Sequence, residues 1–374
     1  MSSRWLNTGK CESETQTDKS EVTIVSWASS LTLLDGGGQR VRAFQKHLQR
    51  AGVKITTVPI GLPEEKMATV TTESALHSYK RQLFPVPFRL PITRELSAVQ
   101  NGNPVVSLMS GSHRWAIDNA PRAWIDFPDL WSEYARVAAC SRARFPAAIS
   151  RCQGSLWNHR ERWEVKNAAV ATTASFSDAQ VLGMGAQWLP NPVYSKESNA
   201  TRRNRFTNRV PVLGMLANFD YPPNRSAYSI LVRDWLPVLQ SENVKVIVAG
   251  FSAETLIPTT GIENWGTLAD VSEFYDEIDA ALAPMTEGGG MKVKVVEALA
   301  KGVPVIATNS AVTGLPPAVA SSVVRWRDMT GGWLEALKDF KAIESEKARS
   351  ELEMFSFEAF DETMTMLLEK FVCL

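Results

Sequence analysis

Three consecutive glycines at 288–290, lysines at 292 and 294 and a glutamate at 297 are the stretch of this chain best equipped for chemistry. Glycine adopts backbone angles closed to other residues. Free N–H groups at a helix N-terminus behind such a turn make an anion site. Lys292 and Lys294 fall in the first turn of the expected helix, where cations oppose the helix dipole at a cost of up to roughly 1 kcal/mol each. Bound phosphate would remove that conflict. Lys294 and Glu297 are three apart and can face one ligand or each other. A glycine-rich connector carrying a surface ion pair, worth about 0.2–0.5 kcal/mol, is the plainer alternative.

The elements that position these residues follow from the apolar spacing. Residues 280–284 are short and apolar and predict a buried strand. Val293, Val296 and Ala300 recur at helical spacing, Gly302 suits a helix stop, and 303–307 predicts the next strand. A second unit of this kind lies near the start. Residues 22–27 predict a strand, 35–40 a glycine turn (Asp35, Gly36, Gly37, Gly38, Gln39, Arg40), and Val41, Phe44 and Leu48 a helix closed by Gly52. Residues 53–58 predict the next strand, which completes a βαβ unit. A dinucleotide fingerprint does not fit it: Val41 stands where glycine or alanine is required, and no acidic residue closes the second strand. This loop is expected at the rim of the site.

Residues 104–109 predict another strand, with Ser110, Gly111, Ser112 and His113 at its C-terminal end, the edge where open α/β sheets bind ligands. Asp126 and Asp129 lie at a further strand end. Asp126 is a candidate for orienting a sugar hydroxyl or a base, and an N-cap role for either aspartate is an equal alternative. Residues 84–88 (Phe-Pro-Val-Pro-Phe) cannot form a regular element; they line an acceptor channel or a packed loop. Residues 133–166 are helical in character. They set Arg136, Arg142, Arg144, Arg151, Arg160, Arg162 and Lys166 among Phe145, Trp157 and Trp163, a composition open to contact with an anionic membrane or to a solvated face. Leu189-Pro190-Asn191-Pro192 breaks the pattern, a polar linker follows, and a second α/β series starts near 210.

At 374 residues two domains are expected. Formal net charge is zero, which gives no reason to expect a nucleic-acid partner. Residues 1–200 carry 23 Lys and Arg against 17 Asp and Glu, and residues 201–374 carry 17 against 23. Complementary packing of the halves, or a basic first half that meets an acidic or membrane-bound acceptor, both suit this asymmetry. Cys11, Cys140, Cys152 and Cys373 form no CxxC pair, so a reducing cytoplasm is expected, with no zinc site. The first 20 residues lack an apolar signal core and are expected to be a disordered tail. No run reaches the ~18 apolar residues that a membrane span needs.

With both halves in view, the sequence resembles the GT-B glycosyltransferases, and within them family 4. The likeness covers about residues 22–370 and is strongest over 210–315. Residues 213–224 look like the "G-x-x-x-y-x-P-N" opening of the donor domain. Residues 246–250 look like its "IvG" strand. Residues 289–304 look like "G-G-x-K-x-K-x-x-E-A-L-A-x-G-x-P", and 313–315 like the following "eGl". The implied fold is two doubly wound Rossmann-like α/β domains that face across a cleft. The implied division is a tail at 1–20, an acceptor-binding domain at 21–192, a linker at 193–209, a donor-binding domain at 210–355 and a terminal helix at 356–374 packed back on the first domain.

The resemblance also implies roles. Glu297 matches the second glutamate of the E-x7-E motif, which holds the donor ribose. Gly288, Gly289, Gly290 and Met291 match the backbone that receives diphosphate and sugar. Gly36, Gly37 and Gly38 match the loop that faces the phosphates across the cleft. Gly266, Thr267 and Leu268 border the nucleobase. Two departures stand out. Gly289 occupies the place of the motif's first glutamate, with Glu287 two positions earlier. The usual Arg and Lys after the first donor-domain strand are absent; Asn218 and Asp220 stand there, and Lys292 and Lys294 are the candidate replacements.

The activity implied is retaining, metal-independent transfer of a sugar from a UDP- or GDP-linked donor to a glycan, lipid-linked or small-molecule hydroxyl, with no cofactor. His113, Asp126 and Glu287 are the catalytic candidates. The expected location is the cytoplasm, at the inner face of the membrane through the basic 136–166 region. A non-catalytic nucleotide-sugar-binding partner protein is the first alternative. A sugar-nucleotide epimerase is the second, weakened because His47, His77, His113 and His159 all lie in the first half.

Overall fold

A computed structural model describes residues 21–27, 36–60, 96, 102–141, 144–194, 210–286, 289–326 and 346–373. They form two six-stranded parallel sheets. The first contains β1 (Glu21–Trp27), β2 (Lys54–Ile60), β3 (Val105–Ser107), β4 (Ala123–Phe127), β5 (Val170–Thr173) and β6 (Gln187–Trp188), in the order β2-β1-β3-β4-β5-β6. The second contains β7 (Val212–Leu216), β8 (Lys245–Ala249), β9 (Ile262–Gly266), β10 (Ala280–Ala283), β11 (Val305–Ala307) and β12 (Val324–Arg325), in the order β12-β11-β10-β7-β8-β9. Strand order reverses between β1 and β3 and again between β7 and β10. Such switch points open a crevice at the strand C-terminal ends.

Helices cover both faces of each sheet, so the central strands are mostly apolar; every residue of β3, β4 and β10 is buried, Ser107 and Asp126 included. In the first half these are α1 (Gly36–Arg50), α2 (His113–Asn119), α3 (Trp131–Ser141), α4 (Arg144–Asn167) and α5 (Phe176–Leu182). In the second they are α6 (Pro222–Ile230), α7 (Leu236–Ser241), α8 (Ser272–Glu277), α9 (Val293–Ala300), α10 (Pro317–Ser321) and α11 (Glu346–Glu353). The last is α12 (Phe357–Cys373). Both glycine-led βαβ units close alike. Gly52 N–H donates to Gln49 O and Val53 N–H to Leu48 O, as Gly302 does to Leu299 and Val303 to Ala298. These paired bonds satisfy carbonyls at the ends of α1 and α9.

Some elements differ from the sequence reading. The glycines at 36–38 are not a turn ahead of α1 but its first turn. Residues 133–166 are two helices packed against each other. Residues 222–241 run as helix, π-turn (Leu231–Trp235) and helix. Pro237 lacks an N–H and its ring crowds the carbonyl four residues back, which accounts for the widened turn. Gly266, matched to the segment that borders the nucleobase, is the last residue of β9. Residues 1–20, 84–88 and 195–209 lie outside the described set.

α12 returns to the first half. Phe360, Met364, Leu367 and Phe371 join Phe44, Leu48 and Trp124 in one buried cluster. Phe360 and Phe371 meet Phe44 and Trp124 edge-on, at 6.0 and 5.7 Å between ring centroids. Each such side chain contributes about 1.5–3 kcal/mol by leaving water. The two chain crossings between halves are tied together: Val193 N–H donates to Phe355 O at 2.8 Å and Phe357 N–H to Tyr194 O at 2.9 Å. No helix of the described residues is long and apolar enough to cross a membrane.

Candidate donor and acceptor site

The crevice of the second sheet is built from the segments after β7 and β10. Asn218 folds the first of these: its Oδ1 accepts Asp220 N–H at 2.9 Å, and its carbonyl accepts Asn224 Nδ2 at 2.7 Å. Asn224 Oδ1 in turn accepts Lys294 Nζ at 2.9 Å. Lys294 stands in the first turn of α9 above a cavity of about 10 Å3 lined by Leu216, Tyr275, Ala283 and Val295, room for one water at most. Removal from water, and then repulsion from Lys292, push the Lys294 amine down to about 7. An anion at the N-terminus of α9, outside that cavity, would be met by this amine and by the N–H groups that open the helix, of which Val295 N–H already donates to Lys292 O at 3.0 Å.

Lys292, just ahead of α9, bends back so that Nζ donates to the carbonyls of Gly289 and, at 3.3 Å, Gly290. It clamps the glycine turn. Met291 is half-buried against the core of the second half. Glu297, three residues past Lys294, accepts the Tyr275 hydroxyl at 3.1 Å. Burial pushes its carboxyl up, while Tyr275 and Lys301 pull it down. At the end of β9, Gly266 N–H is held by Asn264 Oδ1 at 2.9 Å and its carbonyl accepts Gly250 N–H at 2.9 Å. Leu268 packs half-buried beside it against the same core.

The first half closes over this crevice at the glycine turn. A Cβ on Gly290, whose φ is +60°, would lie 1.9 Å from Asp129 Oδ1 and 2.8 Å from Pro128 O. Only glycine permits that approach. Nearby, Phe176 N–H donates to Gly314 O at 2.9 Å, and a Cβ on Gly314 would meet Gly290 O at 2.7 Å. Asp129 therefore stands at the end of β4, facing the α9 turn. The protein around it pushes its carboxyl up, and Lys292 and then Arg40 pull it down. Asp178, in α5 behind Ser175, is pushed up to about 7 by burial first and by the Asp129 charge second. Gly37 is half-buried and Gly38 buried at the start of α1.

Two of the catalytic candidates are placed elsewhere than expected. Asp126 is 0% exposed, and both its oxygens are taken. Arg40 grips it in a fork, Nε to Oδ2 at 2.6 Å and Nη2 to Oδ1 at 2.5 Å, and Thr172 Oγ1 donates to Oδ1 at 2.6 Å. Arg40, itself 2% exposed, also holds Leu189 O at 2.9 Å and Asn191 Oδ1 at 2.7 Å. His113 is also 0% exposed. Its Nε2 donates to Asp126 O at 3.0 Å, Nδ1 lies 3.5 Å from Glu164 Oε2, and the ring stands edge-on to Phe127. Asp126 lies within β4 and His113, at the start of α2, braces it; both are fully buried. Glu287 and Gly288 lie outside the described residues.

The sequence reading gave no role to Asn224, Tyr275 or Asp178, and only a capping alternative to Asp129. One cue was present: Ser175 followed three residues later by an acidic residue is a helix-start signature. Ser175 does cap α5, its Oγ accepting Asp178 N–H at 3.2 Å. Among the described residues no three His, Cys, Asp or Glu side chains gather as a metal site.

Residues 210–341 match the family described as Glycosyl transferases group 1. No curated protein matches the sequence at a significant level. Among solved structures, the chain is similar to a glycosyltransferase from Rickettsia africae ESF-5, at 13% identity and TM-score 0.57 over 95% of this chain and 99% of that one. It is also similar to Anabaena HepE in complex with UDP and glucose (10%, 0.53, 94% and 99%). A trehalose-6-phosphate synthase, studied for glycosyl transfer with retention, aligns at 12% and 0.53 over 94% and 99%. The chain thus has the GT-B glycosyltransferase fold, and its second half carries the sequence pattern of the group 1 glycosyl transferases.

Proposed function

We propose that this protein is a retaining, metal-independent glycosyltransferase that moves a sugar from a UDP- or GDP-linked donor to a hydroxyl acceptor. The observation that carries the reading is the turn at Gly289–Gly290. It opens α9 at a strand-order switch point, with Lys292 clamping it, Lys294 set on Asn224 beside it and the Asp129 carboxylate of the other half facing it. The binding of UDP and glucose by HepE supports the donor class, as does the family matched by residues 210–341.

In this reading the diphosphate sits on the α9 N-terminus, between Lys294 and the first turn of α1. As the bond from anomeric carbon to diphosphate oxygen breaks, charge grows on that oxygen, and the fixed N–H groups and Lys294 stabilise it as it develops. The acceptor oxygen bonds to the same face of the sugar, and its proton passes to the departing phosphate. Glu297, oriented by Tyr275, keeps one oxygen for the donor ribose. Asp129 takes the place at the sugar that His113 and Asp126 were expected to hold, while those two fix the end of β4. The glycan, lipid-linked or small-molecule nature of the acceptor stays within the proposal. So does a cytoplasmic site at the membrane face, supported by Arg151, Arg162 and Lys166 exposed along one side of α4.

The test is to incubate the protein with a panel of sugar nucleotides and measure free nucleoside diphosphate, beside a Lys294→Ala/Glu297→Ala double variant. Release from one donor, lost in the variant, supports the transferase. Tight binding with no release from any donor, with or without a hydroxyl acceptor, favours a non-catalytic binding protein.

A further inference from the structure

The edge of the second sheet farthest from α9 carries groups to which the transfer chemistry gives no task. β10, β7, β8 and β9 are successive neighbours, so the three steps from β10 to β9 span about 14 Å. A nucleoside diphosphate whose phosphates sit on the α9 N-terminus and which extends along the strand ends therefore brings its base to the ends of β8 and β9. The backbone is drawn tight there. Gly250 N–H donates to Gly266 O at 2.9 Å, and a Cβ on Gly250 would lie 2.1 Å from Ala217 O. The surface of Gly266, by contrast, is open. Among the described residues, a Cβ on it would meet a single atom within 4 Å, Glu254 Oε2 at 3.7 Å. That carboxylate is held in place. Ser252 N–H donates to Thr267 Oγ1 at 3.2 Å, and Thr267 Oγ1 donates to Glu254 Oε2 at 3.0 Å. Ser252 takes a φ of +60°, uncommon for a residue other than glycine, as the chain enters the single 3-10 turn Ala253–Thr255 that carries Glu254. The backbone N–H of Glu254 itself, and then the Thr267 hydroxyl, hold the carboxyl below its ordinary range, so at neutral pH it is ionised and only accepts. Phe251, next after Gly250, leaves its ring 50% exposed at the same edge.

We propose that Glu254 selects a guanine base at this edge, so that the donor is a GDP-linked sugar and not a UDP-linked one, with the Phe251 ring offered to the face of the base. The inference rests on the glycosyltransferase reading and narrows its donor. Guanine sets two donors side by side, N1–H and the 2-amino group, which match the two oxygens of one carboxylate. Each carboxylate oxygen accepts more than one bond, so the contact with Thr267 does not use up Oε2. Charge-assisted, two-point pairs of this kind are both strong and geometrically selective. Uracil sets its one N–H between two carbonyls, whose oxygens an ionised carboxylate repels, and that is discrimination by rejection as well as by fit. Thr267 is then a positioning residue: its hydroxyl ties the loop after β9 to the carboxylate carried by the loop after β8.

Calorimetric titration of the protein with GDP and with UDP tests this. GDP should bind tighter by at least about tenfold. Glu254→Gln should bring the two nucleotides toward parity, with GDP weakened and UDP unchanged or tightened, because the amide can donate to a uracil carbonyl. Retained UDP binding shows that the variant is folded. Thr267→Val should reduce the preference by less, and Thr267→Ser should restore it. UDP bound as tightly as GDP by the unaltered protein, or a preference that Glu254→Gln leaves in place, overturns the proposal. The donor reading itself fails differently: neither nucleotide then binds. If both bind alike and both are lost in Lys294→Ala, the donor site stands and only the assignment of the base falls.

Discussion

Lys294 Nζ rests on Asn224 Oδ1 at 2.9 Å, which joins the first turn of α9 to the loop after β7. The amide carries no charge, so nothing in that contact compensates an ammonium, and the amine sits at about 7. A bound diphosphate would favour the protonated form and raise it. Nucleotide binding should therefore take up a proton above pH 7. Affinity should be full below pH 7 and fall up to tenfold per pH unit as pH rises above it. Calorimetry at pH 8 in buffers of different ionisation enthalpy measures the proton directly. Lys294→Met should weaken binding and abolish the uptake; an unaltered uptake would assign the proton to another group.

Gly290→Ala should damage activity far more than stability. A left-handed alanine costs roughly 1–2 kcal/mol. The added methyl also displaces Asp129 Oδ1 and Pro128 O, which are 1.9 and 2.8 Å from its position. The halves must then part at the glycine turn. Donor turnover should fall by about a hundredfold or more, as misplacement near 1 Å does elsewhere. Thermal unfolding and turnover measured on the same preparation separate the two effects.

Asp178 makes the folded protein prefer a proton. Its carboxyl titrates near 7 when folded and near 4 when unfolded. Between those values the folded state holds more protons, so stability should fall as pH rises from about 4 to 7 and then level off. Asp178→Asn should remove that slope and stabilise the protein above pH 7 by up to a few kcal/mol. Denaturant melts at pH 5 and pH 8 supply the comparison.

The fork of Arg40 on Asp126 is buried on both sides. Arg40→Met leaves the carboxylate uncompensated in the sheet and should cost about 3–5 kcal/mol. The Arg40→Met/Asp126→Asn pair should recover part of that loss. If the two changes simply add, the ion pair is not what holds α1 to β4.

The glycine-led units were legible because local chemistry dictates them. A glycine turn, an apolar helical stripe and a closing glycine fixed α9 and α1 within a few residues. β6 and β12, two residues each, carry no periodicity to detect. Asp126 and Asp129 could not be told apart from sequence. β4 is buried on both faces, so alternation gives no inside or outside. Only the packed sheet shows that Asp126 meets Arg40, a residue 86 positions away, and that Asp129 escapes past the strand end. His113 follows a strand in the sequence, but in the fold it opens α2, where Phe127 and Glu164 close around it.

The return of α12 to the first half bears on the order in which the chain matures as it is made. Phe360, Met364, Leu367 and Phe371 belong to the same cluster as Val22, Phe44 and Trp124. β6 is complete by residue 188, yet the core it flanks stays open until α12 has left the ribosome. At ordinary elongation rates that is a wait of roughly 10–40 s. The core of the second half holds no residue of α12 and has its last member, Phe355, just before that helix begins. The half that starts first is therefore sealed last, and the two halves mature as one unit.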